Sequence, residues 1–132
     1  MRITTLLLLS ALTAGAWAAP RPTEIIETID QYRIVLYLTE PQINAMAEWR
    51  PGEGEPPMSI ARAVNRVRDW IASDSSLAGA RIYELEYKPI HNHEKLNRWY
   101  YLVELRLKEG KKRFVAVLPG GKVVPAIEEP GS

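Results

Sequence analysis

The stretch that decides the fold reads Trp99-Tyr100-Tyr101-Leu102-Val103-Glu104-Leu105-Arg106-Leu107. Every second residue from Trp99 onward is aromatic or aliphatic, whereas the residues between them mix Tyr100 and Leu102 with charged side chains. A period of two is typical of a β-strand, because successive side chains point to opposite faces. The wholly apolar face needs cover from another element, so residues 99–107 are predicted to be a strand beneath a packed layer.

The covering layer is predicted to be one amphipathic helix that starts after Ser59, a residue type that commonly caps helix N-termini. Its apolar side chains recur with helical spacing on one arc: Ile60, Ala63, Val64, Val67, Trp70 and Ile71. Its polar side chains lie opposite them: Arg62, Asn65, Arg66 and Asp69. A single apolar stripe indicates a helix that lies on the surface of a sheet, not inside a bundle.

Five further segments have strand patterns, at residues 24–28, 32–38, 80–87, 113–118 and 122–126. Short turns at residues 109–112 and 119–121 join the last three strands of the chain, and such connections make neighbouring strands antiparallel. We therefore predict an α+β fold of two layers, in which one main helix packs on an antiparallel sheet of about four to five strands.

The remaining segments complete a single domain that is predicted over residues 20–132. Residues 50–58 form a linker rich in Pro and Gly, and the acidic tail at residues 127–132 is expected to fray. Thr39-Glu40-Pro41-Gln42 matches a capping box. The segment 39–49 is short, however, so a helix and an extended stretch both stay open.

Residues 1–19 have the three parts of a secretory signal peptide. Arg2 gives a positive start, an apolar run follows, and Ala16-Trp17-Ala18 supplies small residues at the cleavage spacing. Cleavage after Ala18 or Ala19 exports the rest of the chain, so a periplasmic or extracellular location is expected. The sequence contains no Cys, so the exported domain is expected to fold without disulfides.

The charge balance argues against a nucleic-acid partner. The chain has 17 Lys and Arg residues against 16 Asp and Glu residues, and without Arg2 the two signs are equal. Nucleic-acid-binding domains usually have a basic excess or a basic stripe. No later segment approaches about twenty consecutive apolar residues, so no membrane association is expected once the signal peptide is removed.

The second half of the chain has a recognisable order of segments: a capped helix at 59–72, a glycine-bounded link at 77–79, strands at 82–86 and 100–107, and a strand at 114–117 before Gly121-Lys122-Val123. This order resembles the PepSY-like and cystatin-like group of small α+β domains. That family pattern has an Asp before the final glycine turn, where this chain has Leu118-Pro119. The resemblance implies an exported, non-enzymatic domain associated with peptidase inhibition or regulation.

Two neighbouring predicted strands carry a candidate binding face on the side opposite the helix. Alternation gives this face the following side chains: Ile82, Glu84, Glu86, Tyr100 and Leu102. If the face is open, we predict that its Tyr100 and Leu102 and its two glutamates engage a protein or peptide partner, or a second copy of the chain. If the N-terminal segment folds over the face, its apolar side chains belong to the core, and both arrangements stay open.

His91-Asn92-His93 provides the alternative of a metal site. In an extended stretch both imidazoles point the same way and can share a metal ion, with Glu94 or Glu84 as a third ligand. A solvated loop is the simpler interpretation, because these are the two histidines of the chain.

The sequence carries no catalytic motif that points to an enzyme. It has no Cys and no Gly-x-Ser-x-Gly pattern for a nucleophile. We therefore expect a binding module that is not an enzyme and that uses no cofactor. The alternatives are a metal-binding protein or metal-dependent hydrolase that uses the histidine loop, and a structural protein of the cell envelope that self-associates.

Overall fold

The computed structural model describes residues 21–29 and 31–130, so the predicted signal peptide at residues 1–19 lies outside the described residues. The described residues contain two α-helices, α1 (Glu40–Ala45) and α2 (Ile60–Ala72). They also contain seven strands: β1 (Thr23–Ile29), β2 (Tyr32–Leu38), β3 (Arg81–Pro89), β4 (Trp99–Arg106), β5 (Lys112–Val117), β6 (Val123–Pro125) and β7 (Ile127–Pro130).

The strands form two antiparallel sheets, one of four strands in the order β3-β4-β5-β6 and one of three strands in the order β1-β2-β7. Ala63 and Val67 of α2 pack against apolar side chains of β4 and β5 on one face of the four-stranded sheet. This confirms the α+β class with one main helix on an antiparallel sheet. The three-stranded sheet adds a further layer on the opposite face.

The face of β4 that carries Tyr100 is covered, so of the two arrangements left open the N-terminal segment folds over it, and a binding role for Tyr100 and Leu102 on an open face does not hold. Tyr100 is 0% exposed and Leu102 is 3% exposed, and both belong to the same core cluster as Ile34 and Leu36 of β2. The apolar side chains of β1 and β2 need burial as much as those of β4 do. The two sheets bury each other, as in sandwich folds.

Both predicted helix starts have the capping geometry that their sequences indicate. The Ser59 hydroxyl accepts a hydrogen bond from the Arg62 N–H at 3.1 Å. At α1, the Thr39 hydroxyl accepts from the Gln42 N–H at 3.2 Å, and the Thr39 N–H donates to the Gln42 side chain at 2.8 Å. This reciprocal pair satisfies two otherwise unpaired backbone donors and decides the open segment in favour of a helix at residues 40–45.

A β-bulge in β3 changes which side chains face the helix. Simple alternation predicts Tyr83 on the helix side and Ile82 on the opposite side, but the pairing register shifts between Ile82 and Glu84. Ile82 therefore packs in the cluster beneath α2, whereas Tyr83 is 63% exposed with the Arg106 guanidinium 4.0 Å from its ring centre. An inserted residue of this kind reverses the alternation on one side of the bulge.

The expectation that the tail frays is wrong for residues 127–130. These residues form β7, which pairs with β2 and brings Glu129 into an ion pair with Arg33. Only one residue, Ala126, separates β6 from β7, and its N–H donates to the Phe114 carbonyl at 2.9 Å. The tail therefore passes from one sheet to the other, and residues 131–132 lie outside the described residues.

The polar side of α2 contacts the last turn of the four-stranded sheet. Gly121 has a φ of +99°, and a Cβ atom at this position would lie 2.9 Å from Nε of Arg66. The backbone conformation is therefore the main reason why Gly121 lacks a side chain, and a Cβ atom would in addition require the Arg66 guanidinium to move aside.

We expect Tyr100→Ala to lower the free energy of unfolding by about 3–5 kcal/mol, the usual range when a large ring leaves a core. Tyr100→Phe keeps the ring and should change the value by less than about 1 kcal/mol. Urea unfolding followed by tryptophan fluorescence measures both. An alanine variant as stable as the parent would contradict the burial of this ring between the sheets.

We expect Gly121→Ala to destabilise the fold more than Gly110→Ala does. Gly110 has a φ of +83° with no atom near its missing Cβ, so its variant carries only the backbone cost of about 1–2 kcal/mol. Gly121→Ala also requires the Arg66 guanidinium, the end of a flexible side chain, to move aside, at a further cost of less than about 1 kcal/mol. Arg66→Ala in the Gly121→Ala background should remove that difference in thermal unfolding, and equal effects of the two glycine substitutions would argue against the contact.

Candidate functional site

The outer edge of β3 is one of the two edges of the four-stranded sheet, and β3 side chains line a groove. In that sheet β3 pairs with β4 on one side and has no strand on the other, within the described residues. An edge of this kind presents backbone N–H and C=O groups that can pair with another chain. Arg81, Glu84, Glu86 and Lys88 place charges along this strand.

A groove lies on the helix side of β3, and we call it the apolar groove. It has a volume of about 450 Å³ and is lined chiefly by Pro56, Ile60, Leu85, Tyr87 and Tyr101. Ile60 belongs to the predicted apolar stripe of α2 but is 62% exposed, because it lies at the rim of this groove and not over the sheet. The position of the groove therefore explains why Ile60 is exposed although it belongs to the predicted apolar stripe.

The wall of the apolar groove is fixed by contacts to the linker at residues 50–58. The Tyr101 hydroxyl donates a buried hydrogen bond to the Met58 carbonyl at 2.8 Å. Met58 itself is 1% exposed and packs in the cluster beneath α2. The linker is thus held against the sheet at the point where it enters the helix.

Two rings that line the groove, Tyr87 and Tyr101, pack with two tryptophan rings to form what we call the aromatic cluster: Trp49, Tyr87, Trp99 and Tyr101. The ring centre of Tyr87 lies 5.4 Å from Trp49, 5.3 Å from Trp99 and 4.6 Å from Tyr101. Burial raises the pKa of Tyr87 to about 12, and its hydroxyl has no hydrogen-bond partner among the described residues. The hydroxyl therefore stays protonated at neutral pH, and the cluster serves as a packed wall.

The opposite side of β3 has a smaller cavity of about 150 Å³, which we call the acidic pocket. Its lining consists of Ile29, Glu84, Glu86, Leu102, Glu104 and Phe114. Glu104 is only 5% exposed, and its carboxylate accepts a hydrogen bond from Nε of Arg106 at 2.9 Å. Glu84 and Glu86 are exposed at the rim, above an apolar floor.

The structure brings together three of the four side chains predicted to bind a partner. Glu84, Glu86 and Leu102 line the acidic pocket, with Leu102 in its floor. Tyr100 lies in the core between the sheets. Burial is the main cause that raises the pKa of Tyr100, with the carboxylates of Glu27 and Glu86 adding to the rise.

An ion pair closes the far end of β3 against the other sheet. Nζ of Lys88 lies 2.9 Å from Oε1 of Glu27 in β1, and both side chains are less than one-fifth exposed. Lys88 is therefore already engaged, and the accessible part of the edge is centred on residues 84–86.

The histidine loop does not have the extended form that the metal-site alternative requires. Asn92 has a φ of +64°, and a 3-10 turn follows at Glu94–Leu96. Nδ1 of His91 lies 4.0 Å from Oε1 of Glu94, and both side chains are more than half exposed. Among the described residues, no three His, Cys, Asp or Glu side chains are placed to hold a metal ion.

A larger cavity of about 630 Å³ lies next to β7 and mixes charges of both signs. Its lining includes Tyr32, Lys111, Arg113 and Glu128. Burial raises the pKa of Glu128 above its ordinary value of 4.5, although Arg113 and a hydrogen bond from the Phe114 backbone oppose the rise. With Lys112 also in the lining, three basic side chains stand against the one carboxylate, so the lining of this cavity carries a net positive charge.

Comparison with known proteins gives this chain no relative: no protein-family model, no curated protein and no solved structure matches it. None of the helices in the described part of the chain is long and apolar enough to cross a membrane. The β3 edge, the apolar groove and the acidic pocket are therefore the features on which a functional proposal for this chain can rest.

We expect Glu128→Gln to unfold at a higher temperature than the parent at pH 7. Because the folded-state pKa of Glu128 is raised, the charged carboxylate is disfavoured in the fold, and an uncharged amide avoids that penalty. The difference should shrink as the pH falls and disappear below the ordinary value of 4.5, where the parent carboxyl is protonated in both states. Thermal unfolding across this pH range measures it.

Glu129→Gln is the matched control for that substitution. Glu129 is an exposed neighbour on the same strand that pairs with Arg33, so its amide variant should give no gain in stability. If Glu128→Gln is the less stable protein at pH 7, attraction to Arg113 outweighs burial and the interpretation of this cavity is wrong.

Proposed function

We propose that the chain is a binding module that captures an extended polypeptide along the outer edge of β3. The observation that carries the proposal is the position of the apolar groove directly beside an unpaired strand edge. Backbone hydrogen bonds to an added strand supply affinity for any extended chain, and side-chain pockets supply selectivity.

The size and lining of the apolar groove support this proposal. A volume of about 450 Å³ is within the range of ligand sites and accommodates one or two large apolar side chains. Leu85 and Ile60 offer aliphatic surface on its two sides, and Ile60 is exposed when the groove is empty. An apolar side chain that enters the groove removes this surface from water.

The wall of the groove is held by contacts within the protein. Tyr87 and Tyr101 of the aromatic cluster are part of this wall, and the Tyr101 hydroxyl holds the linker at Met58. A preformed wall reduces the entropy that is lost on binding, so that more of the contact energy appears as affinity.

The edge is protected against indiscriminate pairing, which is what a selective binding site needs. The bulge at Ile82/Glu84 interrupts one end of β3, and the Lys88–Glu27 ion pair and Pro89 occupy the other. Features of this kind normally prevent strand edges from aggregating. They restrict strand addition here to the short stretch between them.

Self-association through the same edge is the alternative function, and the negative charges of Glu84 and Glu86 on β3 disfavour it. An antiparallel pair of β3 strands centred on Leu85 would place Glu84 of one copy opposite Glu86 of the other. Like charges in directly opposed positions destabilise a strand pair. A partner other than a second copy therefore fits better.

The biological role that we propose follows from the resemblance to PepSY-like and cystatin-like domains, which implies peptidase inhibition or regulation outside the cytoplasm. A module that captures extended polypeptide is suited to such a role without catalysis of its own. The absence of an assembled ligand set near His91 and His93 in the described residues gives the metal-dependent alternative no structural support.

We expect the protein to select binders from a displayed library of random ten-residue peptides, and Ile60→Asp to weaken those binders at least about fivefold. Ile60 is the first residue of α2, where a carboxylate favours the helix dipole, so the variant should stay folded. Isothermal titration measures the affinities, and amide exchange shows whether β3 becomes protected.

Leu96→Asp is the matched control, because Leu96 is a similarly exposed apolar residue away from the groove. It should bind the selected peptides as the parent does. Equal affinities for the parent and Ile60→Asp, or peptides that leave the exchange of β3 unchanged, would overturn the proposal.

A further inference from the structure

We infer that the captured polypeptide alternates apolar and basic side chains, with the apolar residue in the apolar groove and Lys or Arg over the acidic pocket. This inference rests on the proposed function, because it requires strand addition at β3. It adds the chemistry of the ligand, which the edge alone does not specify.

The alternation follows from the geometry of β3 itself. Leu85 lines the apolar groove, whereas its two chain neighbours, Glu84 and Glu86, line the acidic pocket on the other side of the sheet. Successive residues of an added strand also point to alternate faces. A side chain placed beside Leu85 therefore points toward the apolar groove. The residues before and after it point to the face of Glu84 and Glu86, from which only a long side chain can reach across β3 into the acidic pocket.

The acidic pocket suits a long cationic side chain, because its floor is apolar and its rim is negatively charged. Leu102, Phe114 and Ile29 form an apolar floor for a methylene stem, and the rim carboxylates offer acceptors to an ammonium or guanidinium group. Lys and Arg commonly bury their stems along apolar surface while the charged end stays near water. A small acidic or short polar side chain would leave this floor uncovered.

Within the acidic pocket, the charge available to a ligand comes from Glu84 and Glu86, since Glu104 is already paired with Arg106. Glu84 has no ion-pair partner among the described residues, and Glu86 lies 3.9 Å from Nζ of Lys88, which is closer to Glu27. The rim thus presents an uncompensated negative charge beside a strand edge. Charge complementarity favours a basic residue there and opposes an acidic one.

The test uses three synthetic ten-residue peptides that alternate valine with lysine, threonine or glutamate. Isothermal titration of the intact protein should give the tightest binding for the Lys–Val peptide, at least about tenfold tighter than for the Glu–Val peptide, with the Thr–Val peptide between them. Raising the salt concentration to about 0.5 M should reduce the differences in affinity among the three peptides, because exposed charges are screened.

Substitutions in the acidic pocket test whether its carboxylates cause the preference for lysine. The double variant Glu84→Gln/Glu86→Gln should bind the Lys–Val peptide about three- to tenfold more weakly and leave the Thr–Val peptide unaffected. Glu53→Gln/Glu109→Gln removes the same charge from exposed sites outside both cavities and should behave as the parent does. Thermal unfolding checks that each variant is folded.

The outcomes separate this inference from the proposed function. If the three peptides bind equally and Ile60→Asp weakens all of them, strand capture stands and the basic preference is overturned. If both double variants lose affinity equally, the preference is a general charge effect and the inference is also overturned. If Ile60→Asp binds every peptide as the parent does, the proposed site itself is wrong.

Discussion

Burial of both faces of β4 is the constraint on which the architecture depends. One face carries Tyr101, Val103 and Leu105 beneath α2, and the other carries Tyr100 and Leu102 against the three-stranded sheet. A strand with apolar side chains on both faces is stable only when both are covered. The helix covers one face and the N-terminal strands cover the other, so the backbone of the four-stranded sheet is left open at its edges, of which β3 is one.

Local sequence signals predicted the elements well where the interaction that forms them is itself local. The bounds of β2 match residues 32–38, and Ser59 caps α2 at the residue that its sequence indicates. The capping box at Thr39 is a reciprocal pair of hydrogen bonds within four residues, so the pattern contained the structural information. A short segment has little periodicity, so the sequence alone does not decide between a helix and an extended stretch there.

The errors all concern non-local pairing. The bulge between Ile82 and Glu84 depends on how β3 meets β4, and no alternation within one strand can reveal it. The cover over Tyr100 depends on strands more than sixty residues away in the chain. The apolar groove is assembled from Pro56, Ile60 and Leu85 on three separate elements. The one sign of this groove in the sequence is Ile60, an apolar residue in the first turn of α2 that is not covered by the sheet.

The short passage from β6 to β7 has a consequence for how the chain reaches its native state. It makes residues of β7 partners of β2, with roughly a hundred residues between them. Closing so long a loop costs chain entropy, so we expect the pairing to form after the hairpins β1–β2 and β4–β5. Until it forms, the free side of β2 is expected to be a second exposed strand edge through which the nascent domain can aggregate.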